Sequence, residues 1–508
     1  MDTHAARPDD TVAQDIQDLH QFGYQQTLRR TIGGYTSFAL AFSMITITTT
    51  IFTLFTDPFT KVGGVGIWLW FPVTLALLSI TLVYAHLSAR LPVTGYAYQW
   101  SSRIVNRDYG WFSGWTALVS FFAGTASIAV SFATVFAGYI WSNPSQANIV
   151  LLAGVALAAA VVVNIVSIRA ATFVNNIGAS TELLGTMGLT LLTFIALFFF
   201  KDKQGPAILF QTGAATGGHL DLVTFGLAAL LPIYTLLGWE GAADLAEETH
   251  NPRRTAPRAM IRSVLVSGVA GFFVYAVFAM AIPHGVKDTV NQTQNPLIYV
   301  FQSHFGGGPA LVLKVVAFVS IFSALLANVT VATRMCYALA RDKMIPGWQV
   351  LGYVSPRTRT PVYAIVLVGL IALLVNLLSA GVIAAVAAIV AVTYYGTYLL
   401  TCIAAILGDR RGSIPAAPAG YFGLGRWLRP LAVVGIAWSL LVIADMTLPP
   451  VNNIAGEYTV VAEVLGVAWY ALYLRRRLRS GEAGPPLASA APPTIETRDE
   501  VRIAGESV

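Results

Sequence analysis

The feature that most constrains this chain is a series of apolar stretches, each near 20 residues or longer, set between short loops that carry arginine. A stretch of that length crosses the hydrocarbon of a bilayer as a helix, whereas barrel strands are half as long and alternate in polarity. Twelve spans are read, at roughly 31–55, 63–86, 111–140, 148–167, 179–200, 221–248, 262–283, 309–338, 361–379, 381–407, 430–448 and 457–474. Hydrophobic residues make up 56% of the chain and charged residues 11%, against about a quarter charged in a soluble domain. A water-soluble core cannot hide this much apolar surface. The chain therefore reads as an all-α integral membrane protein.

The loops give an orientation. Of the Lys and Arg residues at the connections and span ends, 23 fall on the side that holds both termini, and four, Lys61, Lys201, Lys203 and Lys287, fall on the other. The positive-inside bias places both termini in the cytoplasm of a multi-pass cell-membrane protein and supports an even number of spans. The net charge of +6 is accounted for by topology, which excludes nucleic acid as a partner and leaves the lipid bilayer. Residues 1–28 and 480–508 are rich in Pro, Ala, Ser and acids and read as disordered cytoplasmic tails. Between them lie a core of spans 1–10, residues 29–407, and the pair 11–12, residues 408–479, with a short Ser379–Ala380–Gly381 hinge between spans 9 and 10. No apolar segment follows a basic start, so no cleavable leader is expected. Cys336 and Cys402 both lie in apolar runs, which points to neither a disulfide framework nor a metal cluster. No cofactor is expected.

Two spans are unusual. Span 6 holds Pro232, Gly238 and Glu240 within nine residues. Proline removes a backbone donor and clashes with the preceding turn, and glycine loosens the helix further. Backbone freed at this depth is tolerated only beside protein or a water-filled cavity. Span 6 thus reads as two half-helices around a non-helical middle, although a kinked packing helix has the same composition. Span 1 carries Thr46, Thr48, Thr49 and Thr50 among other β-branched residues, a poor helix former whose hydroxyls can bend a membrane helix. A threonine-rich packing seam would look alike. The two spans open two successive sets of five. Interrupted helices at matching positions point to the site of a secondary transporter built as an inverted repeat of spans 1–5 and 6–10.

Four ordered motifs resemble one family. They are Phe22-Gly-Tyr-Gln-Gln-Thr-Leu-Arg-Arg30, Pro92-Val-Thr-Gly-Tyr-Ala-Tyr-Gln-Trp100, Gly238-Trp-Glu240 with Glu247-Glu248-Thr-His-Asn-Pro252, and Arg334-Met-Cys-Tyr-Ala-Leu-Ala-Arg-Asp342. Over about residues 20–475 the chain is similar to the amino acid–polyamine–organocation transporters, in their amino acid/choline/γ-aminobutyrate branch. The resemblance implies a leucine-transporter-like 5+5 repeat with helices 1 and 6 broken, working by alternating access. It also implies a substrate carboxylate held by backbone N–H groups in the break of span 1. The family usually has Gly-Ser-Gly there; this chain has Thr48, Thr49 and Thr50. The matching break in span 6 covers Tyr234, Thr235, Leu236, Leu237 and Gly238, with Tyr234 offering a cation–π face. With Thr46 and Ile47, these are the candidate substrate-binding residues.

Intramembrane acids are costly and functional by default. Glu182, near the start of span 5, and Glu240, just past the break, are the proton-coupling or gating candidates. Proton-coupled relatives often carry Lys at the position Glu182 matches. The structural alternatives are a hydrogen-bonded strut to span 1 for Glu182 and a cap on the second half-helix for Glu240. Asp244 is expected near the inner exit, and Glu247 and Glu248 in the cytoplasm against Arg253 and Arg254. Sodium is the rival coupling ion, with Ser323 in span 8 as an available oxygen.

The chain has no HExxH, no GxSxG and no nucleotide loop in strand context, which argues against an enzyme. No charged ring or filter-like loop favours a channel. The expected function is a permease importing a small amino acid or amine, the substrate carrying a positive amine and the coupling ion a proton. A sodium-coupled or exchange-type choline or polyamine transporter is the alternative, and a non-transporting nutrient sensor a further one.

Overall fold

The computed structural model describes residues 8–213, 221–378, 383–417, 420–449 and 453–486. Their regular elements are all helices, and a single isolated bridge, between Ile32 and Thr249, is the one β contact among them. Nine of the described helical segments are long and apolar enough to cross a membrane. The expected spans 6 and 9 appear as shorter apolar helices, Leu222–Thr235 and Val362–Leu378. Span 6 is short because its helix stops before Gly238, as the Pro232–Gly238 pairing predicts. At span 12, helix Asn453–Trp469 runs on through a wider π turn, Tyr470–Leu474.

Local chemistry sets the helix ends. The Asn106 side chain accepts from the Tyr109 amide and starts Arg107–Phe136, and Ser145 with Asn148 forms a reciprocal cap on Gln146–Val166. Asn295 accepts from the Leu297 and Ile298 amides ahead of Pro296–Phe305. Between spans, where lipid and protein are equally apolar, small residues set the approach. A Cβ on Gly178 of span 5 would lie 2.1 Å from Cβ of Ser323 in span 8. Spans 1, 3 and 10 are mostly buried, while spans 4, 5 and 11 turn most of their surface outward. The half-helices of spans 1 and 6 therefore sit inside a sleeve of the others.

Two expectations about the tails are corrected. Within the expected tail 1–28, residues 8–21 form a helix, Pro8–Gln21, whose Ile16 and Leu19 are buried. Its acids are not solvated. Asp18 Oδ2 lies 2.6 Å from Arg253 Nε, and Asp15 Oδ2 accepts from the Asn251 amide at 2.8 Å. Composition alone cannot see that the loop between spans 6 and 7 supplies partners for these acids. At the other end, the Gly484 amide donates to the Asp342 carbonyl and Arg107 Nη2 to the Pro485 carbonyl, both at 2.9 Å, so residues 480–486 are docked rather than free. The remaining tail residues, 1–7 and 487–508, and the Ser379–Ala380–Gly381 hinge lie outside the described residues.

Candidate transport site

Span 1 is broken. Helix Gly34–Ile45 ends at Thr46, whose φ of 52° is left-handed, and a second helix, Ile47–Leu54, starts at once. A β-branched residue in that region is strained, and such strain persists where the surroundings over-determine it. Thr48, Thr49 and Thr50 are thus not the break itself but the first turn of the second half-helix. Their backbone amides, with that of Ile47, begin a helix and lack partners from the preceding turn until Thr50, which donates to the Thr46 carbonyl at 3.0 Å.

Span 6 is also broken, at residues 236–240 rather than the expected 234–238, since Tyr234 and Thr235 still belong to the first helix. Helix Leu230–Thr235 stops, residues 236–240 are non-helical, and a short turn Gly241–Asp244 follows. Gly238 has φ +95°, and a Cβ there would meet Cβ and the carbonyl oxygen of Met44 at 2.9 Å. Met44 is two residues before Thr46. The two breaks therefore abut, and only glycine permits it.

A buried carboxylate stands on each side of this junction. Span 5 widens to a π turn over Glu182–Thr186, an irregularity frequent at functional sites. From it Glu182 reaches span 1 and accepts from the Thr48 amide at 2.8 Å, with Thr186 Oγ1 3.1 Å from Thr48 Oγ1. Glu182 thus takes one of the freed amides of the break. Glu240 accepts from the Tyr398 hydroxyl of span 10 at 2.9 Å through Oε2, while its Oε1 has no hydrogen-bond partner. It makes no cap bond to the helix that it precedes. Trp239 stacks on Tyr398 at 5.3 Å and meets Tyr84 edge-on at 5.0 Å, so aromatic rings line this side. Among the described residues neither Glu182 nor Glu240 has an ion-pair partner.

The remaining candidates divide. Tyr234 lies near the junction, but its hydroxyl is 2.6 Å from Ser127 Oγ of span 3. Thr235 donates to the Leu231 carbonyl inside its own helix, and Leu236 and Leu237 are buried apolar packing. Ser323 donates to Asn175 of span 5, to its carbonyl and its Oδ1, both at 3.3 Å. Four residues were missed by sequence reasoning: Met44, Ser127, Thr186 and Tyr398. Each acts through one cross-span distance, for which spacing along the chain offers no signal.

Eight residues past Glu240, burial is handled differently. Glu247 and Glu248 were expected in water against Arg253 and Arg254; both are fully buried. Arg334 holds Glu248 in a two-pronged pair, Nε to Oε1 at 2.6 Å and Nη2 to Oε2 at 3.0 Å. Arg341 Nη1 reaches both oxygens of Glu247, at 3.0 and 2.8 Å. The amides of Thr94 and Gly95 donate to Glu247 and Asp244, at 3.2 and 2.7 Å. Asp244, expected near the inner exit, is therefore buried and bonded to backbone. Arg30 donates to the carbonyls of Ala246 and Thr249, and Asp342 accepts from Tyr24, Tyr98 and Gln99. The physical reason is that Arg334 and Arg341, both on helix Gly307–Arg341 and far along the chain, reach these acids in a dry site, Arg334 by closing a bidentate geometry. Asp15 of the N-terminal helix sits at the rim of this network, where burial pushes its carboxyl above the usual range and Arg30 opposes that rise.

All four motifs that carry the family resemblance meet in this network. The sequence model of the amino acid permease family matches residues 32–469. The chain is 26% identical over 475 residues to amino-acid permease BAT1 of Arabidopsis thaliana, a match covering 87% of this chain and 91% of that protein. It is 27% identical over 488 residues to the BAT1 homolog of Oryza sativa subsp. japonica, covering 87% and 90%. It is 26% identical over 303 residues to the low-affinity putrescine importer PlaP of Escherichia coli (strain K12), covering 59% of this chain and 64% of that one. The match runs from the start of span 1 into span 12, so the chain belongs to the amino acid permease family, within the amino acid–polyamine–organocation superfamily, and is a membrane transporter rather than an enzyme.

Proposed function

We propose that this transporter imports a small amino acid or amine across the cell membrane by alternating access, with proton coupling. The observation that carries the reading is the junction of the two breaks, flanked by two buried carboxylates without cations. The fold proposed with it is twelve spans, both termini cytoplasmic, in a leucine-transporter-like inverted repeat of spans 1–5 and 6–10. Discontinuous helices at the centre of such a repeat are where transporters hold their cargo.

The chemistry favours a cationic amine. Glu240 has one unused oxygen among aromatic faces, an environment that attracts an ammonium and repels an anion. The amides of Ile47 and Thr49, at the start of a half-helix, offer a place for a carboxylate. A substrate bearing both groups fits both ends, and a diamine fits the first. The putrescine importer among the relatives supports the amine class.

Glu182 is proposed as the proton-linked group. Charged, it holds the Thr48 amide and so the start of the second half-helix. A proton on it weakens that bond and frees span 1 to repack, which lets proton occupancy bias a two-state element. Sodium is the rival coupling ion; the Ser323 hydroxyl donates to Asn175, which leaves its oxygen lone pairs available to a cation.

Counterflow in proteoliposomes tests the function. Labelled amino acids, γ-aminobutyrate, choline and putrescine are offered in turn, and at least one amine should exchange without a driving force. Faster exchange of a purely anionic solute than of any amine would sink the substrate class. Cysteine labelling tests the topology: a probe at Ser145 should react from outside and one at Ser355 only after permeabilisation.

A further inference from the structure

On the arginine-rich face, far from the junction, helix Pro252–Met280 and the loop between spans 10 and 11 enclose a cavity of about 230 Å³. Its walls carry three guanidinium groups, from Arg253, Arg254 and Arg258, together with Ile261, Tyr421 and Phe422. Arg253 is committed: it pairs with Asp18 and donates to the carbonyls of Ala89 and Arg90. The other two are not. Arg254 lies 5.0 Å over the Tyr421 ring, and among the described residues neither Arg254 nor Arg258 has an acid partner. Arg90 donates to the Phe422 carbonyl at 3.0 Å and so holds the loop wall in place. Two uncommitted guanidinium groups in a held cavity, one of them already stacked, suit an oxyanion such as a phosphate.

The setting identifies the source of that phosphate. Residues 254, 258, 261, 265 and 269 lie on one face of a helix with 3.6 residues per turn. Below the arginines that face is apolar and uncovered, with Leu265 44% and Val269 74% exposed. From Arg262 to Met280 the helix rises about 27 Å, close to the ~30 Å of hydrocarbon in a bilayer. Arg258 then stands about 6 Å outside that layer, at the depth of the lipid phosphates, and Val269 about 10 Å inside it. We propose that this cavity binds the headgroup phosphate of an anionic phospholipid, whose acyl chains lie along Ile261, Leu265 and Val269. A free phosphate would use the arginines but has no use for the apolar stripe. The proposal is independent of the transported substrate.

Delipidated protein in detergent is the material for the test, read by thermal shift and by native mass spectrometry. Phosphatidylglycerol should raise the melting temperature and stay bound, while phosphatidylcholine and inorganic phosphate at the same concentration should do neither. The variant Arg254→Gln with Arg258→Gln should melt like the parent without lipid, because both side chains are exposed. Its affinity for phosphatidylglycerol should fall at least tenfold. The control Arg475→Gln with Arg476→Gln, at the end of span 12, should bind as the parent does. Undiminished retention by the first variant, loss in the control instead, or equal stabilisation by phosphatidylcholine overturns the site. Stabilisation by inorganic phosphate as strong as by the lipid overturns the lipid assignment.

Discussion

Glu240 and Glu248 are both fully buried in one short segment, yet only Glu248 has a cation. Glu248 meets Arg334 in a two-pronged pair, and Glu247 beside it meets Arg341 and a backbone amide. Glu240 meets one tyrosine hydroxyl and keeps an oxygen unused. Leaving a buried carboxylate unpaired is expensive; Glu247 and Glu248 are paired with arginine, whereas Glu240, like Asp244 with its unpartnered Oδ2, has no ion-pair partner among the described residues. The paired region locks the ends of spans 1, 6 and 8 together. The unpaired region is the one proposed to take a proton or an ammonium. This comparison predicts different failures in the two places.

The largest effect is expected in the paired region. Arg334→Ala strands Glu248 in a dry site and should cost about 3–5 kcal/mol. It should appear as loss of monodisperse protein in size-exclusion chromatography or as a large fall in melting temperature. Arg334→Met with Glu248→Leu removes both charges and should recover most of the loss. If the double variant is as unstable as the single one, the pair is not what the network depends on.

Glu182→Gln keeps an acceptor for the Thr48 amide but cannot titrate. Exchange should persist, while accumulation driven by two pH units, a hundredfold or roughly 2.7 kcal/mol, should vanish. Accumulation with the parent's pH profile would make Glu182 a strut and move coupling to Glu240. Glu240→Gln should raise KM for a cationic substrate about tenfold, near 1.4 kcal/mol, with a melting temperature close to the parent's. Destabilisation as large as that of Arg334→Ala would erase the distinction between the two regions.

The smallest effect concerns the rim. Burial holds the Asp15 carboxyl above its usual range, so its contribution to docking of the N-terminal helix is present at acid pH. That contribution is lost as pH rises through the folded-state value, because the unfolded group ionises first. Proteolysis within residues 8–21 should therefore quicken modestly with rising pH, and Asp15→Asn should flatten the trend. A trend of opposite sign would show that the Arg30 contact outweighs burial.

How much of this was legible differs by element. Helical, membrane-spanning architecture followed from run length, because hydrocarbon leaves the backbone no partners but its own. The break in span 6 followed from Pro232 and Gly238, whose effects are local. The break in span 1 was sensed through its threonines, since propensity shows weakness and not the point of failure, and the family resemblance placed it at Thr48–Thr50, two residues past Thr46. The N-terminal helix was missed because its acids read as solubilising until Arg253 and Asn251 were seen to meet them. The motifs at residues 22–30, 92–100, 247–252 and 334–342 were found, but their purpose was not: they close one buried network.

What the sequence determined by itself was therefore everything that depends on neighbours in the chain: run length, helix breakers, the side bias of arginine and the family. Only the tertiary structure decided which arginine meets which acid, that Gly238 lies against Met44, and that Glu182 reaches the amide of Thr48. The physical reason is range. Helix formation and membrane insertion are fixed within a few turns, whereas the partner of a buried charge is chosen by packing between spans that the chain separates by up to a few hundred residues.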